Sequence, residues 1–260
     1  ELLEVLSATK TAVIDTYVRN DNITYIISII NSGTVPFTGL TVTDNLGAYT
    51  WNDTTLVPLS YVDGSVRYYV NGTLQPAPTV TAVGTSLAIS GINVPSAGNA
   101  IIVYEAQANQ YAPLDVDGTI TNIASISGGG ITNTVTADET VTTNDIPELT
   151  ITKSVSPVPV SENGEPTYTF IIQNTGNTAA DEAANIVITD TFNPILSNLS
   201  VTLDGVALPA GSYTYNEATG EFATVAGSIT VPAATYTQDE TAGYYVINPG
   251  VTTLVVSGTV

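Results

Sequence analysis

Only two of the four basic residues in this 260-residue chain are lysines, Lys10 and Lys153. Side chains at i, i+2 and i+4 of a strand share one face. In VLSATKTAV the face of Lys10 also carries Leu6, Ala8 and Ala12, and in ELTITKSV the face of Lys153 carries Leu149, Ile151 and Val155. Both lysines are therefore expected to point toward a core, a poor place for a solvated charge and a good one for a crosslink. Spontaneous amide formation between lysine and asparagine needs a neutral amine, a carboxamide in contact with it, and a carboxylic acid that polarises the amide and shuttles protons as ammonia leaves. Burial favours the neutral form of an amine and of a carboxyl alike.

Candidates of each kind lie on inward-reading faces. Asn122 shares its face with Ile120, Ala124 and Ile126, and Asp44 with Leu40, Val42 and Leu46. Asp190 lies with Ile186, Ile188 and Phe192, and Glu105, beside Ile101 and Val103, is the rival acid. Asp44 is preferred because Asp190 duplicates it, whereas the strand aligned with Glu105 offers only Ser257 or a neighbour. The expected crosslink is Lys10–Asn122 with Asp44 as acid. Lys153 and Asp190 form its counterpart, for which no bond within this chain is expected. The competing readings are a buried Lys–Asp ion pair, which seldom improves on apolar packing, and a lysine that snorkels outward.

These residues sit in a duplication. Lys10 to Tyr25 and Lys153 to Tyr168 are both 15 positions apart, and Lys10 to Asn31 and Lys153 to Asn174 are both 21. After the insertion NTAADEAA, LTVTDNL matches IVITDTF, which pairs Asp44 with Asp190. Asn71-Gly72 and Asp204-Gly205 are matched tight-hairpin signals, and Ile92–Pro95 matches Ile229–Pro232. Short strands between turn clusters predict an all-β chain of two tandem immunoglobulin-like antiparallel β-sandwiches, residues 1–146 and 147–260, with the boundary in TNDIPEL. The first copy continues through DGTITNIASISGGGITNTVTADETV, about two further strands. The second copy has no counterpart of them and is read as truncated at its C-terminus.

Composition bounds the function. The chain has no cysteine, methionine or histidine, which removes disulfides, thiol nucleophiles, imidazole bases and the commonest zinc ligands. A formal charge of −20 argues against nucleic acid and anionic lipid, both of which need Lys/Arg to neutralise phosphate. It reads first as a solubilising surface. Calcium is the alternative, at Asp115 and Asp117 in the loop Asp115–Gly118, although EF-hand spacing is lacking; no other cofactor is expected. No apolar run reaches a membrane span, no signal peptide remains, and the chain reads as a mature piece of something larger. SATK matches the serine–lysine string of penicillin-binding proteins, but on a strand positions i and i+3 face opposite sides. RYYVNG, Arg67 to Gly72, is the one place where ligand stacking is worth seeking.

LTITKSVSPVPVSENGEPTYTFIIQNTG, followed by ANIVITDTF, resembles the DUF11 repeats of large bacterial surface proteins. The shared pattern is a first-strand lysine, a tyrosine-bearing second strand ending in Asn-Thr-Gly, and a third strand with Thr-Asp-Thr. The first copy is similar more loosely, through INSG, VTDNL and TNIAS. The second departs by lacking the closing strand and by Phe192-Asn193-Pro194 where Leu-Pro is usual. The resemblance implies tandem stalk domains outside the cell on a bacterial surface, often strengthened by Lys–Asn isopeptide bonds.

The resulting expectation is a non-enzymatic structural segment of a surface stalk, fibre or adhesin. Its partners are adjacent repeats of the same polypeptide or neighbouring subunits joined by strand addition, with no nucleic acid and no membrane insertion. A module that binds host glycan or protein is the first alternative, marked by exposed aromatics clustered on one sheet. A hydrolase with a carboxylate pair in an apolar cleft is the second.

Overall fold

Burial alternates residue by residue along the long strands, as the period-2 pattern requires. The computed structural model describes residues 5–260. Cα packing divides the chain into two units; the first runs to Asn144 and takes in Gln238–Val246, and the second comprises Asp145–Thr237 and Ile247–Val260. Both are all-β, and their main sheets are antiparallel except for a short parallel pairing of Thr16–Tyr17 at the edge of one first-unit sheet.

The principal strands of the first unit are β1 (Leu6–Ala12), β2 (Asn22–Asn31), β3 (Phe37–Asp44), β4 (Arg67–Val70), β5 (Thr79–Val83), β6 (Ser86–Val94), β7 (Gly98–Ala108), β8 (Thr119–Gly128) and β9 (Val135–Thr143). One sheet has the order β1-β2-β7-β4, and the facing sheet has the order β5-β6-β3-β8-β9. Between them lie Ile27, Ile29, Leu40, Val42, Ile89 and Ile102, all fully buried. Burying each such side chain is worth about 1.5–3 kcal/mol, so this apolar layer, rather than any polar pair, holds the sandwich closed.

The second unit contains β10 (Leu149–Ser156), β11 (Thr167–Asn174), β12 (Thr189–Thr191), β13 (Ser197–Leu203), β14 (Tyr213–Tyr215), β15 (Glu221–Thr224) and β16 (Gly250–Thr259). Its sheets run β10-β11-β16-β13 and β12-β15-β14. Strand for strand these repeat β1-β2-β7-β4 and β3-β6-β5 of the first unit. Lys10 is paired with Ile27 and Lys153 with Phe170, while Asp44 is paired with Leu87 and Asp190 with Phe222. Among the described residues no strand of the second unit corresponds to β8 or β9.

The duplication extends to its turns. Asn31 accepts the Gly33 N–H through Oδ1 at 2.9 Å and donates Nδ2 to the carbonyls of Val35 and Pro95 at 2.7 and 3.0 Å. Asn174 does the same with Gly176 at 2.9 Å and with Thr178 and Pro232 at 2.8 and 3.0 Å. A Cβ on Gly176 would lie 2.1 Å from the Ile146 carbonyl oxygen, so only glycine fits that turn. Both hairpin pairs adopt positive φ at both positions, Asn71 and Gly72 at 45° and 77°, Asp204 and Gly205 at 47° and 80°. That is the backbone a two-residue hairpin of matching twist demands.

Candidate functional site

The first unit gathers its polar core from both sheets. β1 carries Lys10 inward, and the Tyr25–Tyr104 pair of β2 and β7 continues that face. From the opposite sheet, Asp44 ends β3 opposite Ala124 of β8, and Asn122 lies two residues along β8 on the same face. Lys10, Tyr25, Asp44, Tyr104 and Asn122 are all buried.

Asp44 is held at both oxygens. Its Oδ1 accepts the Leu46 N–H at 2.9 Å, in a turn where Leu46 takes φ 51°. The Asn45 side chain ties this turn to β8 by accepting the Ile123 N–H at 2.9 Å. Asp44 Oδ2 lies 2.5 Å from Lys10 Nζ and accepts the Tyr104 hydroxyl at 2.5 Å. Asn122 Nδ2 in turn donates to the Tyr104 oxygen at 2.9 Å. The result is one unbroken chain of contacts, Lys10 Nζ, Asp44 Oδ2, Tyr104 hydroxyl, Asn122 Nδ2. Asn122 Oδ1 and the Tyr25 hydroxyl are buried without a completed hydrogen bond, although Tyr25 and the Asn122 side chain do interact electrostatically.

Desolvation lowers the Lys10 pKa, and the neighbouring Asp44 opposes that shift without overcoming it. The amine is thereby biased toward the neutral, nucleophilic form. Burial raises Tyr104 well above its ordinary value, with the Asp44 charge acting in the same direction, and burial likewise raises Tyr25. Both phenols stay protonated and available as donors. Their stacked rings, 5.6 Å apart, lie beside Lys10, whose Nζ is 4.9 Å from the Tyr25 centroid and 5.7 Å from that of Tyr104. Such a setting accommodates a cation by ring contact, but it also excludes the water that would keep the amine charged.

The rival acid is corrected by the structure. Glu105 lies on the other face of β7, where alternation buries Ala100, Ile102, Tyr104 and Ala106 and leaves Glu105 half-exposed. Both faces of AIIVYEA are apolar enough to read as inward, so period 2 alone could not choose between them. The inward residue at that point is Tyr104, which sequence reasoning passed over.

In the second unit Lys153 Nζ approaches Asp190 Oδ2 to 2.5 Å, but the lysine, expected to point toward a core, stays partly exposed. The Lys153 side chain is 41% exposed and that of Asp190 16%, against 0% for both Lys10 and Asp44. The contact is close but misaligned, leaving Asp190 Oδ2 without a hydrogen bond. Lys153 instead lies over Tyr168, Phe170 and Phe192, with Nζ 5.0, 5.7 and 5.7 Å from their centroids. Val256 occupies the place of Tyr104, opposite Tyr168 as Tyr104 is opposite Tyr25.

Asp115 and Asp117 are both exposed, and their turn is closed by the Gly118 N–H donating to the Asp115 carbonyl at 2.9 Å. Among the described residues no three acidic side chains gather as a metal-binding group. In the RYYVNG segment Tyr68 is buried and its hydroxyl bonds Asn93, while Arg67 donates to the carbonyls of Gly64 and Val66. These contacts are structural. No helix among the described residues is long and apolar enough to cross a membrane.

No protein-family model and no curated protein matches the chain, so the likeness to DUF11 repeats rests on the residues quoted above. Among solved structures, the chain is similar to the pilus backbone RrgB of Streptococcus pneumoniae at 12% identity and TM-score 0.39, over 94% of this chain and 55% of that one. It is similar to the major pilin subunit BcpA of Bacillus cereus at 9% identity and TM-score 0.37, over 96% of this chain and 66% of that one. It is also similar to the collagen-binding domain of a Staphylococcus aureus adhesin at 13% identity and TM-score 0.33, over 52% of this chain and 96% of that domain.

Proposed function

We propose that this chain is a structural segment of a bacterial surface stalk, fibre or adhesin, located outside the cell, whose first repeat is locked by a Lys10–Asn122 isopeptide bond. The contact chain from Lys10 through Asp44 and Tyr104 to Asn122 carries the reading. The neutral Lys10 amine attacks Asn122 Cγ, the new C–N bond forms, and the bond from Cγ to Nδ2 breaks. The proton surrendered by Nζ passes to Asp44 Oδ2 and through the Tyr104 hydroxyl to the departing nitrogen, which leaves as ammonia. Atoms balance without oxidant, metal or cofactor. The Tyr25 hydroxyl and Asn122 Oδ1 are both buried without a hydrogen-bond partner, and we assign that hydroxyl to polarising the amide carbonyl as the bond forms.

The bond would join β1 of one sheet to β8 of the other. Strands between those two points would then stand outside the path of tension when the chain is pulled from its ends, which is what a stalk needs and an enzyme does not. Intact mass under denaturing conditions tests the reading: one ammonia less than the sequence mass is expected. Asp44→Ala should restore the full mass and Glu105→Ala should not. An unmodified wild-type chain overturns the proposal.

A further inference from the structure

Lys10 stands on one sheet of the first unit and Asn122 on the other, so a bond between them requires β8 to be held still at position 122. The ladder between β3 and β8 stops short of that point, because it ends with Asp44 opposite Ala124. β9 runs along the other edge of β8, with Glu139 opposite Asn122, but it carries none of the residues that Asn122 must meet. The turn after Asp44 supplies the missing hold. At Asn45 the chain leaves the sheet, and the Asn45 carbonyl turns away to accept the Ala48 N–H at 2.9 Å while its N–H still donates to the Ile123 carbonyl at 2.9 Å. The side chain replaces that lost carbonyl in the ladder: Asn45 Oδ1 accepts the Ile123 N–H and the Gly47 N–H, each at 2.9 Å. Gly47 closes the grip, taking φ 74° so near to β8 that a Cβ there would lie 2.4 Å from Ile120 Cγ2. Asn122 therefore sits between two points, Ile120 and Ile123, at which one turn holds its strand, and the same turn fixes the Asp44 carboxylate through the Leu46 N–H.

We propose that Asn45 is a positioning residue for the crosslink, setting where the Asn122 carboxamide stands relative to Lys10 Nζ. This rests on the crosslink reading and adds to it a residue outside the buried cluster, since Asn45 is only half-buried. Its hydrogen bonds go to the backbones of Gly47, Ala48 and Ile123, so it acts through β8 rather than on the reacting atoms. Reaction between groups held in place depends steeply on their separation, a misplacement of about 1 Å costing about a hundredfold. Without the Asn45 acceptor, β8 keeps β9 along its length and β3 up to Ala124. The fold should survive while Asn122 gains freedom, so the bond should form more slowly at little cost in stability. Aspartate at position 45 keeps an acceptor oxygen in the same place; alanine keeps none.

The test follows ammonia loss by intact mass in full-length chains made by cell-free synthesis, collected in urea and then diluted to native conditions. Asn45→Ala should slow the loss at least about tenfold, and Asn45→Asp should restore most of the rate. Asn109→Ala, which removes hydrogen bonds to Val57, Ser60 and Tyr111 in the same unit, is the control for lost stability and should react as fast as the wild type. In the Lys10→Met background, which cannot crosslink, Asn45→Ala should speed exchange of the Ile123 amide while residues 125–127 stay protected. An unslowed Asn45→Ala beside a wild type that reacts ends this role alone and leaves the crosslink reading standing. Equal slowing by Asn109→Ala, no rescue by Asn45→Asp, or unchanged exchange at Ile123 also overturns it. A wild-type chain that keeps its ammonia ends the crosslink reading and this role together.

Discussion

Replacing Asn122 by alanine separates a covalent clamp from a merely buried polar cluster, because the two make different numerical demands. Without a bond, Asn122 contributes one hydrogen bond from Nδ2 to Tyr104 and leaves Oδ1 unpartnered. Its loss should then cost about 1–2 kcal/mol. With a bond, the closed loop covers the 112 steps from position 10 to position 122. The chain-entropy relation for crosslinks then gives about 5 kcal/mol at 25 °C for that loop alone. For a unit of this size each kcal/mol moves the midpoint by about 2–4 °C, so the variant should melt about 10–20 °C lower. Without the bond the drop should be no more than about 8 °C. The assay pairs calorimetry with intact mass on the same samples, and Lys10→Met, which removes the nucleophile and leaves Asp44 without its lysine partner, provides a second uncrosslinked reference. A small shift at unchanged relative mass would refute both the bond and the loop-closure reasoning.

Tyr104→Phe keeps the packing but removes the relay hydroxyl, so loss of ammonia after refolding should slow at least tenfold, which a mass time course reads; an unchanged rate would assign the proton route elsewhere. In single-molecule pulling, the clamp should hide about 380 Å of contour, taking about 3.4 Å per residue over those 112 steps. Asn122→Ala should release that length, and equal extensions in both proteins would exclude the clamp. Alkaline titration tests the buried phenols: Tyr25 and Tyr104 have folded pKa values raised above the ordinary 10.0, so the folded state retains protons that the unfolded chain loses. Stability should therefore be full below about pH 10 and fall above it, with the share of phenolate absorbance due to these two of the fourteen tyrosines appearing only as the fold is lost. In uncrosslinked Asn122→Ala the lowered Lys10 pKa acts oppositely, adding stability as pH rises from the folded Lys10 value toward 10.5.

Much of this site was legible because strand periodicity is a local property. Lys10, Asp44 and Asn122 share faces with aliphatic neighbours in the linear chain, and the three are indeed buried together. The equal spacings from lysine to tyrosine to asparagine reported a duplication that the paired registers reproduce, and the two hairpin dipeptides marked turns whose positive φ values only such residues readily adopt. Periodicity states which residues travel together but not which face is inward when both are apolar, and that ambiguity put Glu105 forward and hid Tyr104. The orientation of β7 is set by its place between β2 and β4 and by the sheet opposite, which are contacts distant in sequence. The unequal burial of Lys10 and Lys153 has the same origin: nearly identical local patterns surround them, and their solvation is decided by whether strands from elsewhere cover the face. Likewise, the grouping of Gln238–Val246 with the first unit arises from packing alone, since no local pattern in a chain records the unit against which a distant segment will bury its surface.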